Sequence, residues 1–262
     1  PLTHPFSSKL PPERFHAISM PDPRGNPIRR SLMTVLYAAK LRSCLRRLKA
    51  DVIIPVNADM LGVARLALFP FSRTPIVYDM QDIMGERLPF HYRVFYRFLL
   101  QTTSALLVQS DRFISAYVEP NRLTRKGTPV VSIPNAVAGW DYVHPPRQDS
   151  GHITIGYFGN LRGATQIDIL IEAAKAAQDS GRDIRLNFAG GGPEAVRIAE
   201  ISETTSFIEF RGVYDYALER DDLYGRADII YAVYPQEVPN NRFHIARRFQ
   251  EAVLLGIPII VA

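Results

Sequence analysis

Short apolar segments rich in valine and isoleucine alternate along the chain with longer segments whose apolar residues recur every three or four positions. The short segments are typical of buried strands, and the longer ones of helices that cover a sheet. The predicted strands are residues 51–56, 76–79, 105–108, 130–133, 153–158, 184–189, 207–211, 229–233 and 258–261. The predicted helices are residues 27–48, 58–68, 90–100, 112–118, 166–178, 193–201, 218–224 and 245–255. The alternation predicts βαβ units and an α/β fold with parallel sheets.

The segment 137–152 interrupts this alternation, because it contains a Pro-Pro pair and polar residues but no apolar period. We therefore predict two α/β domains, 1–140 and 152–262, joined by a linker at 141–151. Ligands of such folds bind outside the carboxyl ends of the strands, so a cleft between the domains is the expected binding site. The sequence has no initial methionine and ends directly after a strand pattern. We expect it to be a fragment that lacks part of each domain.

The composition narrows the class of protein. Of 262 residues, 47% are hydrophobic and 22% are charged, which is ordinary for a globular protein. The net charge of +5 is not gathered into a basic tail, so it suits anionic small ligands or a lipid surface, and no nucleic acid partner is predicted. The single cysteine, Cys44, excludes a disulfide framework and fits a reducing compartment. With no apolar run long enough to span a membrane and no signal-peptide core, these features predict a cytoplasmic location.

No metal site and no cofactor are predicted. A bound cation needs acidic or histidine ligands at suitable spacing, and the sequence has no D-x-D triplet. The histidines never pair at i and i+4; they are His4, His16, His91, His144, His152 and His244.

Two glycine-rich loops follow predicted strands of the second domain. The segment "GYFGNLRGA" contains Gly159 and Gly163, and "AGGGPE" contains Gly190 and Gly191. Both loops lead into predicted helices, so their backbone N–H groups and the helix dipoles suit a phosphate group. The second domain is therefore predicted to bind a nucleotide.

The second loop also matches a dinucleotide fingerprint, because Gly190, Gly192 and Ala195 form G-x-G-x-x-A. An NAD site would place an acid at the end of the next strand, and Glu209 is the candidate. Against this interpretation, the glycine loop at Gly159 follows an earlier strand of the same domain. An NAD-dependent oxidoreductase nevertheless stays an alternative, with Glu209 as the discriminating residue.

The segment "IARRFQEAVLLG" predicts a helix that places Arg247, Arg248 and Glu251 on one face and Phe249 and Val253 on another. An arginine can bind phosphate oxygens, and a carboxylate can accept hydrogen bonds from the two ribose hydroxyls. The alternative is a solvent-facing Arg248–Glu251 pair that stabilises the helix by a few tenths of a kcal/mol.

Four segments resemble, in this order, the carboxyl-terminal nucleotide-sugar domain of GT-B glycosyltransferases of the GT4 type: "IGYFGNLRGATQIDILIEAAK", "LNFAGGGPE", "FIEFRGVYDYALERDDLYGRADI" and "FQEAVLLGIPIIVA". The first half resembles the acceptor domain of the same family, in "ADVIIPVNADMLGVARLA", "PIVYDMQD", "LLVQSD" and "VVSIPNAV". The resemblance implies two Rossmann-like, doubly wound domains and a retaining, metal-independent transfer of a hexose from a nucleotide diphosphate sugar. The implied acceptor is a saccharide or lipid-linked saccharide in polysaccharide or glycolipid biosynthesis.

The resemblance also assigns roles to residues. Glu251 matches the second carboxylate of the family's E-x7-E motif, which holds the nucleotide ribose. The loop from Gly159 to Gly163 matches the turn that faces the donor diphosphate, and Gly190 and Gly191 match the glycines beneath the nucleotide. Arg248 matches a lysine of a "PNKLFE"-like variant, where it would lie near the phosphates.

The sequence departs from the family at three polar positions, which are Phe243, Asn160 and Thr165. One interpretation is that Arg162 and Arg248 replace the lost charge and act with Glu251 in catalysis, while Asn160 and His244 contact the donor. The other is a non-catalytic GT-B-like module that only binds a sugar nucleotide.

The segments "IRRSLMTVLYAAKLRSCLRRLK" and "RLPFHYRVFYRFLL" mix basic residues with leucines and aromatic residues. On a surface, such a segment binds anionic lipid headgroups, which would bring the protein to the inner face of the membrane. The alternative is a helix that buries its apolar face and exposes only basic residues.

Overall fold

The computed structural model describes residues 18, 27–69, 73–83, 90–134, 151–235, 237–243 and 245–261. The chain divides into two compact units, Pro1–Ile133 and Pro134–Ala262. The predicted linker falls outside the described residues except for Gly151.

The first unit contains a parallel sheet of three strands in the spatial order β1-β2-β3. Its described elements are α1 (Pro27–Leu48), α2 (Asn57–Leu68), β1 (Val77–Met80), α3 (Phe90–Gln101), β2 (Ala105–Val108), α4 (Asp111–Phe113) and β3 (Val130–Ser132). A π-helical turn, Ile114–Val118, continues α4. Cys44 is buried, and so are Tyr78 and Tyr96, whose hydroxyl oxygens lie 3.1 Å apart.

The predicted strand at 51–56 is wrong as a continuous element. This segment joins the edge of the sheet only through two isolated parallel bridges, Ile53 with Ile76 and Val56 with Asp79. Pro55 has no N–H group, so it accepts a hydrogen bond from Asp79 N at 3.0 Å but donates none in return.

The second unit contains a parallel sheet of five strands in the order β6-β5-β4-β7-β8. Its described elements are β4 (Ile153–Phe158), α5 (Ala164–Asp179), β5 (Ile184–Ala189), α6 (Ala195–Thr204), β6 (Ile208–Phe210), α7 (Tyr216–Gly225), β7 (Ile229–Tyr231), α8 (Pro239–Phe243), α9 (Arg247–Leu255) and β8 (Ile259–Ile260). The first strand of the unit, β4, lies between β5 and β7. The strand order therefore reverses beside β4, and the carboxyl ends of β4 and β7 flank the position where doubly wound sheets bind ligands.

Apolar cores cover both faces of this sheet, because successive strand side chains point in opposite directions. Tyr157 of β4 belongs to a core with Ile167 of α5 and Ile198 of α6. The next residue, Phe158, belongs to a core with Tyr224 of α7 and with Ala252 and Leu255 of α9. Helices on both faces make the second unit doubly wound, as the sequence predicts.

Candidate functional site

The two glycine loops are joined to each other by backbone hydrogen bonds. Gly159 N donates to Ala189 O at 2.8 Å, and Leu161 N donates to Gly191 O at 2.7 Å. Gly190 N in turn donates to Gly212 O at 2.7 Å, so the loop after β6 is tied to the same group. The three loops therefore form one rigid edge at the carboxyl ends of β4, β5 and β6.

This close approach requires glycine at specific positions. Gly190 has φ +138°, and a Cβ atom there would lie 1.7 Å from Gly159 O. Gly192 has φ +134°, and its Cβ would lie 2.5 Å from Leu161 O. The two glycines of the dinucleotide-like pattern are thus explained by contact between loops, and the pattern needs no dinucleotide to account for it.

The α9 helix buries Arg248 and Glu251, contrary to the interpretation of a solvent-facing Arg248–Glu251 pair. Arg248 is 6% exposed and Glu251 is 3% exposed, whereas Phe249 and Val253 of the apolar face are exposed. Among the described residues Glu251 has its ion pair with Arg247, at 3.0 Å from Nε, and not with Arg248. Such burial of charged groups requires specific polar partners.

Aromatic side chains and one carbonyl group surround the Arg248 guanidinium. Its Cζ lies 3.9 Å from the ring centroid of Tyr157 and 4.9 Å from that of Tyr234. Nη1 donates to Tyr231 O, at the end of β7, over 3.1 Å. Within the described part of the chain no ion pair joins this guanidinium to a carboxylate, and its contacts are aromatic ring faces and the Tyr231 carbonyl.

The Glu251 carboxylate accepts hydrogen bonds from two tyrosines of α7. Tyr216 OH donates to Oε1 at 2.6 Å, and Tyr224 OH donates to Oε2. Burial raises the pKa of both tyrosines, and the negative charge of Glu251 raises them further. Both hydroxyl groups therefore stay protonated and act as donors at neutral pH.

A cavity of about 300 Å³ lies beside β4 and α9. Its described lining residues are Phe158, Gly159, Asn160, Arg162, Tyr214, Tyr216, Tyr234, Ala246, Arg247, Arg248 and Glu251. We call it the site cavity. It contains three arginines against one carboxylate, so its charge suits an anion. A neighbouring cavity of about 450 Å³ shares Gly159, Asn160, Tyr214 and Tyr216 with it and extends over Gly190, Gly191 and Gly192.

The structure brings most of the predicted site residues to these two cavities. Arg162 is exposed at the rim, and its carbonyl oxygen accepts a hydrogen bond from Tyr157 OH at 3.0 Å. Gly163, with φ +86°, is the residue before α5 and lies close to Gln166 and Pro235. His244 lies outside the described residues.

Sequence reasoning missed the tyrosines of the site. Tyr214, Tyr216, Tyr224 and Tyr234 hold or line the groups that the α9 pattern identified. Tyr224 ends the predicted helix at 218–224, but Tyr216 precedes that range, and only the observed α7, which begins at Tyr216, brings both residues onto one helix. Tyr234 follows β7 without any periodic pattern and had no such signal.

Glu209, the discriminating residue for an NAD site, forms an ion pair with Arg211 at 2.9 Å, and Arg211 also contacts Asp222 at 2.6 Å. Glu209 is not among the described residues that line the two cavities.

Over the same described ranges, no group of three His, Cys, Asp or Glu side chains is arranged to hold a metal ion. A search of the described helices also finds none whose length and apolar character would allow it to cross a membrane.

Comparison with known proteins supports the fold. No family model matches the sequence. A succinoglycan biosynthesis protein, ExoL of Rhizobium meliloti (strain 1021), is 30% identical over 230 residues, which are 80% of this chain. The chain spans 56% of the length of that relative.

Two solved structures are similar to this chain at low sequence identity. A glycosyltransferase from Rickettsia africae ESF-5 matches with a TM-score of 0.64 and 13% identity, over 99% of this chain and 69% of the other. A TarM variant from S. aureus, in complex with UDP and saccharide ligands, matches with a TM-score of 0.59 and 14% identity, over 86% and 44%. The prediction of an α/β fold with parallel sheets is confirmed, and this fold is the one found in GT-B glycosyltransferase structures.

Proposed function

We propose that the protein is a glycosyltransferase that moves a hexose from a nucleotide diphosphate sugar to a saccharide or lipid-linked acceptor. The observation that carries this proposal is the site cavity, where three arginines and one buried carboxylate meet at the strand-order reversal of a parallel sheet. The UDP bound to TarM and the role of ExoL in succinoglycan biosynthesis support a sugar nucleotide donor and a polysaccharide product.

In this proposal the charges divide between the two halves of a nucleotide. The loop containing Gly159, Asn160 and Gly163 presents backbone N–H groups at the start of α5, where the helix dipole favours an anion. Arg162 and Arg248 add positive charge on the same side, so the diphosphate leaves with its developing charge stabilised. Glu251 accepts hydrogen bonds from the ribose.

The proposed reaction is retaining and independent of a metal ion, in the GT4 manner. Its support is that arginines and a helix N-terminus can supply the positive charge that a cation provides in other transferases. We further propose a cytoplasmic enzyme that works at the inner face of the membrane, where a lipid-linked acceptor would be available.

Two features of α3 support this membrane contact. Phe90, Val94 and Phe98 form an exposed row at i, i+4 and i+8, and Arg93 and Arg97 form an exposed basic row beside it. The opposite face buries its own apolar residues in the first unit. An aromatic surface next to arginines is typical of helices that lie at an anionic membrane interface.

A thermal-shift experiment tests the donor site. A nucleoside diphosphate that binds only the native state adds about 2.7 kcal/mol at a hundredfold excess over its Kd, which raises Tm measurably. We expect UDP, GDP or ADP to raise Tm, with excess EDTA making no difference, and NAD to have no effect. Stabilisation by NAD alone, or binding that is lost in EDTA and restored by magnesium, would contradict the proposal.

The second candidate function is a non-catalytic module that binds sugar nucleotides. Phe243 favours it, because this half-buried aromatic residue of α8 stands where a catalytic family member has a glutamate. The discriminating experiment is turnover of UDP-, GDP- and ADP-sugars by the product of the full-length gene. Hydrolysis or transfer supports the enzyme, and tight binding without turnover supports the module.

A further inference from the structure

The Glu251 carboxylate has too few free acceptor positions to bind a ribose as it stands. A carboxylate offers about four lone-pair sites on its two oxygens. Tyr216 OH and Arg247 Nε occupy Oε1, and Tyr224 OH occupies Oε2. A ribose that donates both vicinal hydroxyls needs two acceptor sites. One of the three present donors must therefore leave when the nucleotide binds.

The donor best able to leave is Arg247. Tyr224 is fully buried, with its ring against Phe158, and cannot move without opening the core. Tyr216 is half-buried, and its ring is covered by the Arg247 guanidinium at 4.1 Å from the centroid. The Arg247 side chain is 52% exposed and carries the longest and most flexible stem of the three.

A released Arg247 could bind a second anion in the same cavity, which is the diphosphate of the proposed donor. Arg247 lines the site cavity together with Arg162 and Arg248, the two cations assigned to the diphosphate in the proposed function. A diphosphate can thus take over the guanidinium that leaves Glu251, whereas a bare nucleoside offers no replacement. The two tyrosine hydroxyls continue to donate hydrogen bonds to the buried Glu251 carboxylate, both with and without a bound nucleotide.

We propose that Arg247 is a specificity-determining residue that makes ribose binding at Glu251 depend on the diphosphate. In the empty site it competes with the ribose for Oε1, and in the occupied site it binds phosphate. The protein therefore discriminates against free nucleosides, which are present wherever nucleotides are degraded. This inference rests on the proposed donor site and assigns to Arg247 a role distinct from that of Arg248.

Calorimetric titration of uridine against UDP, and of guanosine against GDP, tests this coupling. Removing the competitor in Arg247→Ala should strengthen nucleoside binding and weaken diphosphate binding. Couplings between sites are typically 5–150-fold, so we expect the ratio of nucleoside Kd to diphosphate Kd to fall by about tenfold. Arg247→Gln keeps the stem over Tyr216 but removes the charge, and it should change the ratio in the same direction.

Arg220→Ala is the matched control. Arg220 also lies over the Tyr216 ring, at 5.4 Å, and its loss removes the same charge, but it is outside the described lining of the site cavity. We expect its Kd ratio to equal that of the wild type. If the ratio of nucleoside Kd to diphosphate Kd stays at the wild-type value in both Arg247 variants, the proposed role of Arg247 is overturned. Absence of diphosphate binding in wild type and all variants would instead overturn the donor site and the inference with it.

Discussion

Glu251 is a buried carboxylate whose charge is compensated by hydroxyl groups from two positions of a single helix. An ionised group removed from water is stable only when charged or polar partners replace its hydration. The two α7 tyrosines supply that replacement together with Arg247. These tyrosines are therefore positioning residues for the acceptor oxygens that the proposed donor would contact.

At the residue scale we predict unequal costs for removing the two hydroxyls. Tyr224→Phe leaves Oε2 buried without its donor, so it should lower the free energy of unfolding by about 1.5–3 kcal/mol, the range for bonds to charged groups. Tyr216→Phe should cost less than about 1 kcal/mol, because that residue is half-buried and Arg247 remains on the same oxygen. Urea unfolding of both variants measures the difference. If Tyr224→Phe lowered the free energy of unfolding by less than about 1 kcal/mol, Tyr224 would not support the carboxylate.

The residues of the site were predictable where they belong to a period and unpredictable where they do not. The spacing of Arg248 and Glu251 correctly placed both on one face of a helix. Their burial did not follow from that spacing, because an apolar face with Phe249 and Val253 is the one that periodicity assigns to the core. The tyrosines that donate hydrogen bonds to the buried Glu251 carboxylate belong to another helix, α7. Their contact with Glu251 depends on the packing of the two helices, which the sequence pattern does not give.

At the scale of elements, the two glycine loops behave as one unit because their backbones bind each other. Gly190→Ala would bring a Cβ within 1.7 Å of Gly159 O at φ +138°, so the loops must separate. We expect a loss of about 3 kcal/mol or more, since backbone strain and a steric clash add. Diphosphate binding should weaken as well.

Gly181→Ala is the control for that change. Gly181 also has a positive φ, +81°, but a Cβ there meets nothing within 4 Å. Its cost should be that of the left-handed conformation alone, about 1–2 kcal/mol. Thermal unfolding of both variants compares them. If Gly181→Ala were as destabilising as Gly190→Ala, contact between the loops would not explain the glycines.

The strands of the second unit were predicted more accurately than the elements beside them. Apolar runs gave β4 and β5 their observed bounds, because both strands are buried inside the sheet. The predicted helix at 245–255 begins instead at Arg247, after the extended residue Ala246, and the short helix α8 was not predicted. Short helices and helix starts depend on local caps and on packing with distant residues, which a single period does not contain.

At the scale of the whole molecule, the alternation of strand and helix patterns predicted parallel sheets but not the order of their strands. The central position of β4 places Arg162 near α9, which is more than 80 residues away along the sequence. That neighbourhood follows from the pairing of β4 with β7, which is a long-range contact. The expectation that Arg162 acts together with residues of α9 came from the family resemblance, and no feature of the composition predicted it.

The exposed aromatic row of α3 leads to a prediction about the whole chain. Sedimentation with vesicles should capture the protein when they contain phosphatidylglycerol, and less than about a tenth as much when they contain only phosphatidylcholine, given about 1 kcal/mol of attraction for each basic residue. Phe90→Ser with Phe98→Ser should abolish capture without lowering Tm, because both side chains are exposed. Val196→Ser, an equally exposed position of α6, is the control. Capture that survives the phenylalanine substitutions would remove α3 from the proposal.

The two glycine loops are held together by backbone hydrogen bonds, which leaves their side chains free to vary in evolution. Because Gly159 N, Leu161 N and Gly190 N make the bonds that hold the loops, the intervening side chains of Asn160 and Arg162 carry none of that support. Both side chains are exposed and line the site cavity. Natural variation can therefore exchange them at little cost to folding, so the contacts made with a bound donor can change among descendants while the backbone that presents it stays the same.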